Sequence, residues 1–447
     1  MIKYRLQAPL LFKLPDKLFH KLSHSWPYYC LALLFFFNLW LVWPGQMTSD
    51  SYTQYQEALS NSYSAAHPPL MSYLWRLFTL ISTGSGLILL FHLLLLYGAC
   101  FTFMQTFKNS RLRFYYLLYP LLPAIFFYSS MIWKDVGLAF SYLAFGSGLT
   151  YFIVQAKKPT IYQYLILILL LFYGSAVKFQ ALYTAPGLVL GLCFIYNNFQ
   201  LNRKVWLLTI VSYFLLYTSV LTINHLLETP GTNKHWWQYV KIYDLAGISI
   251  ELDQPIFPDY ILQAKNFDFI KIKQQFNYER VDDLVFFPDS PIISTTDSKQ
   301  LKILLTSWYQ AVYQHPLIYL KHRWHNWVNI LFAKPLEKLD TLDFKQFKGL
   351  SWLADLNQTI FIALKYFRYL LSFIFIFIFI IFSLIYSSFK LKNNYRLLLF
   401  IFSLTSLLLV LTLFTFTMAS ALRYVYMPVC LTYAAIPLIY LTILSRT

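Results

Sequence analysis

The chain has 447 residues, of which 58% are hydrophobic and only 12% are charged. Soluble domains carry about 25% charged residues, so this composition excludes an ordinary soluble protein and favours an integral membrane protein. The net charge of +17 does not indicate nucleic acid as a partner, because the Lys and Arg residues cluster in short loops between apolar runs, as orientation signals do.

The first part of the chain has the pattern of a basic leader, a span and an outer loop. Basic residues between Lys3 and Lys21 are expected to keep the N-terminus in the cytoplasm. The first apolar run, about residues 26–43, is long enough to cross a membrane, and no small-residue cleavage site follows it. We therefore predict a retained anchor, followed by a first outer loop over about residues 44–86 that carries amphipathic helices.

Apolar runs then alternate with basic loops, which predicts an all-α polytopic membrane protein with about ten transmembrane helices and cytoplasmic termini. One continuous span is expected between Arg113 and Trp133. The predicted regions are an N-terminal transmembrane module over 1–224, an outer segment with interfacial helices over 225–356, and C-terminal transmembrane helices over 357–447. The four cysteines lie in apolar runs, so no disulfide framework is expected.

Acidic residues are informative because 15 of the 19 lie in the predicted outer segment. Asp50, Glu57 and Asp135 lie beside apolar spans on the predicted outer side, where carboxylates are costly and usually mark a functional site. Asp50 has two compatible interpretations. It is either an ionised carboxylate that takes a proton or binds a metal, or the N-cap of a helix that begins at Ser51.

Several basic side chains share the same predicted side. Lys178 and Arg423 are candidates to hold a phosphate, and snorkelling to the membrane interface is the alternative for Lys178. Lys134 and Asp135 either serve the site or neutralise each other at a tight turn. His67 precedes two prolines, so this motif marks either a rigid helix start or a contact with a phosphate or sugar.

The outer segment contains one weaker candidate motif. His322 and His325 have helical spacing, but two histidines alone are weak evidence for a metal, and we interpret residues 308–332 as an amphipathic helix on the membrane surface. The chain has no Walker loop, dinucleotide fingerprint or nucleophile elbow, which argues against a cytosolic nucleotide as the direct energy source.

Four short features occur in order and on one predicted side: Asp50 after the first span, His67-Pro68-Pro69-Leu70, the pair Lys134-Asp135, and Arg423-Tyr424-Val425-Tyr426-Met427-Pro428 in the last span. Together with the large late outer segment, they resemble the GT-C fold glycosyltransferases, which include protein O-mannosyltransferases and the lipid A aminoarabinose transferases. Many members carry a paired acid in the first outer loop, whereas Asp50 is followed by Ser51, Tyr52 and Thr53.

The resemblance implies an enzyme of the bacterial cell envelope, embedded in the plasma membrane with its active site on the outer face. It would move a sugar from a polyprenyl-phosphate donor to a lipid, glycan or protein acceptor. Asp50 and Asp135 are the expected catalytic residues. The expected substrate-binding residues are Lys178, Arg423, Lys134, His67, Gln54 and Tyr424. No cofactor is certain, and a divalent cation at Asp50 is the alternative to Asp50 acting as a base.

Two other functions fit the same sequence features. A polytopic transporter or flippase of lipid-linked sugars would also have about ten spans and intramembrane charges, but its ionisable groups are expected near mid-membrane and within inverted repeats. A surface-polysaccharide polymerase or ligase would instead depend on basic residues in the late outer segment.

Overall fold

A computed structural model of the chain describes residues 25–232, 235–332, 373–389 and 391–444. Within these ranges the protein is 75% helical and has no strand, which confirms the predicted all-α fold class. The basic leader, residues 333–356 and the start of the predicted late span at residues 357–372 lie outside the described residues.

Five helices in the described ranges are long and apolar enough to cross a membrane: Gly86–Thr106, Lys134–Gln155, Arg203–Leu227, Asn394–Phe416 and Leu422–Leu444. Shorter apolar helices are Trp26–Val42, Ile161–Ala176, Pro186–Tyr196 and Phe373–Ser388. These helices give the chain the character of a membrane protein, while the count of about ten spans stays a prediction. The last long element begins as a 3-10 turn, Leu422–Val425, before the α-helix Tyr426–Leu444.

The predicted continuous span between Arg113 and Trp133 is broken into three pieces. A helix Leu112–Leu118 leads into a 3-10 turn Tyr119–Leu121 and then into a helix Pro123–Ser129. Pro120 and Pro123 cause the breaks, because proline has no backbone N–H and its ring clashes with the preceding turn of a helix. The third piece ends at Ser129, and residues 130–133 connect it to the helix that begins at Lys134.

The predicted first outer loop contains the helices Ser49–Ser60 and Pro69–Thr79. The segment over 225–356, which is predicted to lie on the outer side and which we call the outer segment, contains Trp237–Leu252, Asp259–Leu262, Phe269–Gln275, Asp282–Val285, Ser298–Gln314 and Pro316–Leu331. The single surface helix predicted over 308–332 is wrong, because His315 ends one helix and Pro316 begins the next. His322, on the second of these helices, is fully buried and does not lie at an interface.

Two large hydrophobic cores and one small cluster, formed by Ala176, Leu182 and Val220, organise the described part of the chain. In the main core, the helix Lys134–Gln155 is central, because 89% of the residues in its apolar stretch are buried. The helix Arg203–Leu227 is peripheral, because only 11% of its apolar stretch is buried. A second core lies inside the outer segment and includes Ile242, Val281 and Leu304. The central helix begins at Lys134, so the candidate charged residues at its N-terminus are held by the most buried of the five long helices in the described ranges.

Candidate active site

The segment before Asp50 is tied to the segment before Lys134. The Gln46 N–H donates to the Ser130 carbonyl (2.8 Å), and the Ile132 N–H donates to the Gln46 carbonyl (2.9 Å). Trp133 Nε1 donates to Thr48 Oγ1 (2.8 Å). These bonds place the start of the helix Ser49–Ser60 beside the start of the central helix.

Thr48, not Asp50, caps the helix Ser49–Ser60. Thr48 is the N-cap residue and forms a capping box with Ser51, in which the Thr48 N–H donates to Ser51 Oγ (3.3 Å). The prediction that Asp50 caps a helix beginning at Ser51 is therefore wrong. Asp50 instead lies in the first turn with its carboxylate free to serve another partner.

That partner is Arg423, on the 3-10 turn near the other end of the chain. Asp50 Oδ2 lies 2.9 Å from Arg423 Nη2, and the two side chains are 30% and 22% exposed. Burial raises the pKa of Asp50, but Arg423, Lys134 and His67 together outweigh it and hold the pKa below its ordinary value of 3.8. Asp50 is therefore an ionised carboxylate whose side chain is still partly exposed.

Asp135 pairs with Lys178, and both side chains are only 3% exposed. The snorkelling interpretation of Lys178 is wrong, because its ammonium lies inside the protein against a carboxylate. Lys178 Nζ also lies 4.9 Å from the centre of the Tyr424 ring, and the Arg423 guanidinium lies 5.2 Å from the same ring. Tyr424 thus touches both cations, in the range of a cation–π contact.

Lys134 bonds to Nδ1 of His67 and does not pair with its neighbour Asp135. The alternative of a self-neutralising turn is therefore wrong. A Lys ammonium only donates hydrogen bonds, so Nδ1 accepts and the neutral imidazole carries its proton on Nε2. Burial and the charge of Lys134 lower the pKa of His67 to about 3, so the ring is neutral near pH 7.

These side chains form what we call the charged cluster: Asp50, His67, Lys134, Asp135, Lys178 and Arg423. The cluster holds three cations, two carboxylates and one neutral histidine, which leaves one positive charge in excess. In the described ranges, no carboxylate forms an ion pair with Lys134. Lys134 is half-buried, and an excess charge that is partly removed from water is unfavourable unless a counter-charge neutralises it. The cluster therefore favours an anion.

Two further side chains on the helix Ser49–Ser60 behave differently from each other. Gln54 lies one turn after Asp50, is 1% exposed, and its Nε2 has no hydrogen-bond partner among the described residues. An unpaired buried amide is costly, which keeps Gln54 as a candidate to bind a ligand. Glu57 accepts bonds from Ser64 Oγ (2.6 Å) and Ser72 Oγ (2.8 Å). Its role is structural, because it joins this helix to the next.

Sequence reasoning missed two residues beside the cluster. Trp133 holds Thr48 and lies 5.3 Å from the Arg423 guanidinium, ring centre to carbon. Gln46 is 8% exposed, and neither side-chain amide atom has a partner in the described part of the chain. Trp133 directly precedes Lys134, and Gln46 lies four positions before Asp50. These positions were the available signal, but aromatic and amide residues are too common in this chain to stand out.

The carboxylates of the cluster are each engaged by a basic side chain. Within the described ranges, no three His, Cys, Asp or Glu side chains lie close enough to hold a metal ion. The His322–His325 pair gives no metal site either, because His322 Nε2 lies 3.4 Å from Asp244 Oδ1 in the core of the outer segment.

Comparisons of the chain with protein-family models, with curated proteins and with solved structures returned no match. The candidate function therefore depends on the geometry and charge of the cluster.

Proposed function

We propose that this protein is a membrane glycosyltransferase that moves a sugar from a polyprenyl-phosphate donor to an acceptor on the outer face of the membrane. The observation that carries the proposal is the single excess positive charge of the cluster next to an ionised, partly exposed carboxylate. A sugar joined to a lipid through one phosphate is a diester with one negative charge, which matches that excess.

In the proposed reaction, an acceptor hydroxyl or amine attacks the anomeric carbon of the donor. The bond from that carbon to the phosphate oxygen breaks, and the polyprenyl phosphate leaves with the electron pair. Asp50 takes the proton that the acceptor loses. Arg423 and Lys134 bind the donor phosphate and neutralise the charge that grows on it as it leaves, and such fixed charges stabilise the transition state with little reorganisation.

Asp135 has a positioning role in this proposal. It is buried and bonded to Lys178, so it holds the Lys178 ammonium in place and is not exposed to an acceptor. Lys178 is as buried as Asp135, so it is proposed to act on the donor phosphate through its charge and not through a direct hydrogen bond. His67 and Gln54 are proposed to contact uncharged oxygens of the donor or acceptor, because His67 is neutral and Gln54 has an unpaired Nε2.

We also propose a GT-C-like topology of about ten spans, with the cluster on the outer side and both termini in the cytoplasm. The central helix Lys134–Gln155 supports this arrangement. It starts in the cluster and ends next to the basic pair Lys157-Lys158, and 22 residues of helix extend about 33 Å, the thickness of a bilayer core. A cluster at one end of the spans also favours a transferase over a transporter with charges at mid-membrane.

The test is sugar transfer in membranes that contain the protein and a radiolabelled polyprenyl-phosphate sugar. Loss of the base in Asp50→Asn is expected to lower transfer by about 10²-fold or more. Asp289→Asn is the matched control, because Asp289 is an exposed aspartate in the outer segment and its variant should keep full transfer. Equal transfer by Asp50→Asn and the wild type, at equal protein level, contradicts the role of Asp50.

A further inference from the structure

A second buried ion pair lies in the core of the outer segment. Arg323 Nη2 donates to Asp244 Oδ2 (2.7 Å), and both side chains are 0% exposed. Trp308 Nε1 donates to the same oxygen (2.8 Å). Burying such a pair rarely adds net stability, because both charges lose their hydration. The burial of this ion pair therefore suggests a role other than stabilising the fold.

The other nitrogen of the Arg323 guanidinium bonds to a residue outside the outer segment. Nη1 donates to the carbonyl of Thr417 (2.5 Å), directly after the helix Asn394–Phe416. Guanidinium is a planar fork whose two ends bond in fixed directions, so one Arg323 side chain holds an aspartate and a loop carbonyl at once. A lysine ammonium lacks this geometry.

The backbone of the same loop is also paired with the outer segment. The Val281 N–H donates to the Met418 carbonyl (3.0 Å), and the Ser420 N–H donates to the Glu279 carbonyl (2.6 Å). An antiparallel bridge joins Arg280 and Ala419 between these bonds. Residues 417–420 are therefore held on one side by a buried side chain and on the other by backbone hydrogen bonds.

This held loop ends three residues before Arg423, which pairs with Asp50. We infer that Arg323, oriented by Asp244, is a positioning residue for Arg423, so that docking of the outer segment fixes the guanidinium opposite the Asp50 carboxylate. The outer segment thereby controls the geometry of the charged cluster without contributing a charge to it. Its effect on donor use rests on the proposed function, but the positioning itself does not.

The first experiment measures hydrogen–deuterium exchange of the purified full chain in detergent. Arg323→Lys keeps the charge but removes the planar guanidinium that bonds Asp244 and Thr417 at once. The backbone amides of residues 417–424 are therefore expected to exchange about tenfold faster, as for the loss of one net hydrogen bond. Lys321→Met is the matched control. Lys321 is on the same helix and pairs with Glu251 at the surface (2.7 Å).

Faster exchange confined to residues 279–281 and 417–424, and absent in Lys321→Met, supports the inference. Unchanged exchange there, or an equal increase throughout the chain, overturns it. Asp244→Asn repeats the test if Arg323→Lys fails to fold. This variant keeps one acceptor oxygen for Arg323, removes the charge and replaces the second oxygen with an NH2 donor. It should therefore give the same pattern of faster exchange.

The second experiment is a double-mutant cycle on the KM for the polyprenyl-phosphate sugar. Arg323→Lys should raise this KM in the wild type but have no further effect in an Arg423→Gln background, because the residue that it positions is then absent. Equal effects in both backgrounds overturn the inference. Absence of transfer by the wild type would contradict the proposed function alone, since the exchange experiment still decides the positioning role.

Discussion

At the scale of single residues, the neighbouring charged residues of the cluster do not form an ion pair with each other. Lys134 and Asp135 are adjacent, yet one bonds to His67 and the other to Lys178. Adjacent residues on a helix do not face each other, so each side chain reaches a different element. The result is one cation next to a neutral acceptor, and this arrangement keeps Lys134 available for an anion.

We predict that Lys134→Gln weakens donor use while leaving the fold intact. Loss of one charge-assisted hydrogen bond to the phosphate should raise the KM for the polyprenyl-phosphate sugar by about 10- to 100-fold. Lys134→Arg, which keeps the charge, should lose much less. Lys158→Gln is the matched control, because Lys158 is exposed after the opposite end of the same helix. An unchanged KM in Lys134→Gln would remove Lys134 from the phosphate site.

The lowered pKa of His67 leads us to predict that the stability of the protein depends on pH. Its pKa is lowered from 6.5 to about 3 in the folded protein. Above pH 6.5 the imidazole of His67 is neutral in both the folded protein and the unfolded chain, so it does not affect how stability depends on pH. Between pH 6.5 and 3 the unfolded chain binds a proton that the folded protein excludes, so the free energy of unfolding falls as the pH falls, by up to about 1.4 kcal/mol per pH unit.

His67→Gln removes this proton uptake, and its amide oxygen can still accept from Lys134. Thermal unfolding in detergent should therefore depend less steeply on pH between 7 and 4 in His67→Gln than in the wild type. The exposed His225 supplies the control His225→Gln, which should keep the wild-type slope. Parallel slopes for the wild type and His67→Gln would show that His67 is not held neutral by the fold.

At the scale of elements, the capping box of the helix Ser49–Ser60 determines where Asp50 points. Thr48 supplies the cap and also accepts from Trp133 Nε1. Thr48→Ala should lower the free energy of unfolding by about 1 kcal/mol through loss of the cap, and should lower transfer because the turn that carries Asp50 loosens. Thr48→Ser keeps the oxygen and should retain both properties. Equal losses in the two variants would argue that the threonine methyl, not the cap, is important.

The elements show what this sequence could predict and what it could not. Apolar length predicted the helix Gly86–Thr106, and the Pro68-Pro69 step predicted the start of Pro69–Thr79, because these signals are local. The partners of the charges were not predictable. Asp50 and Arg423 are 373 positions apart, and nothing local distinguishes an aspartate that pairs with a distant arginine from one that caps its own helix.

At the scale of the whole molecule, the site depends on segments from both ends of the chain. Asp50 follows the first apolar helix, and Arg423 begins the last one. The charged cluster lies where the central helix begins, and the basic pair Lys157-Lys158 follows where that helix ends. This polarity is the physical basis for predicting an outer site and inner basic loops, since the excess of Lys and Arg in short loops sets orientation.

Cysteine labelling of intact cells tests this orientation. The native cysteines are Cys30, Cys100, Cys193 and Cys430, all free thiols, and they are first replaced by serine or alanine. Ser51 is unsuitable as a probe, because it is 0% exposed and its Oγ donates to the Ile132 carbonyl. Gln56→Cys, on the exposed face of the same helix, should instead react with an impermeant thiol reagent from outside.

Lys158→Cys is the matched inner probe, because Lys158 is also exposed but follows the opposite end of the central helix. It should react only after the membrane is permeabilised, whereas Gln56→Cys should give the same labelling before and after. Reaction of both probes in intact cells would contradict the separation of the two helix ends by a bilayer. Reaction of Lys158→Cys alone would place the charged cluster on the cytoplasmic side, where a polyprenyl-phosphate sugar on the outer leaflet cannot reach Asp50.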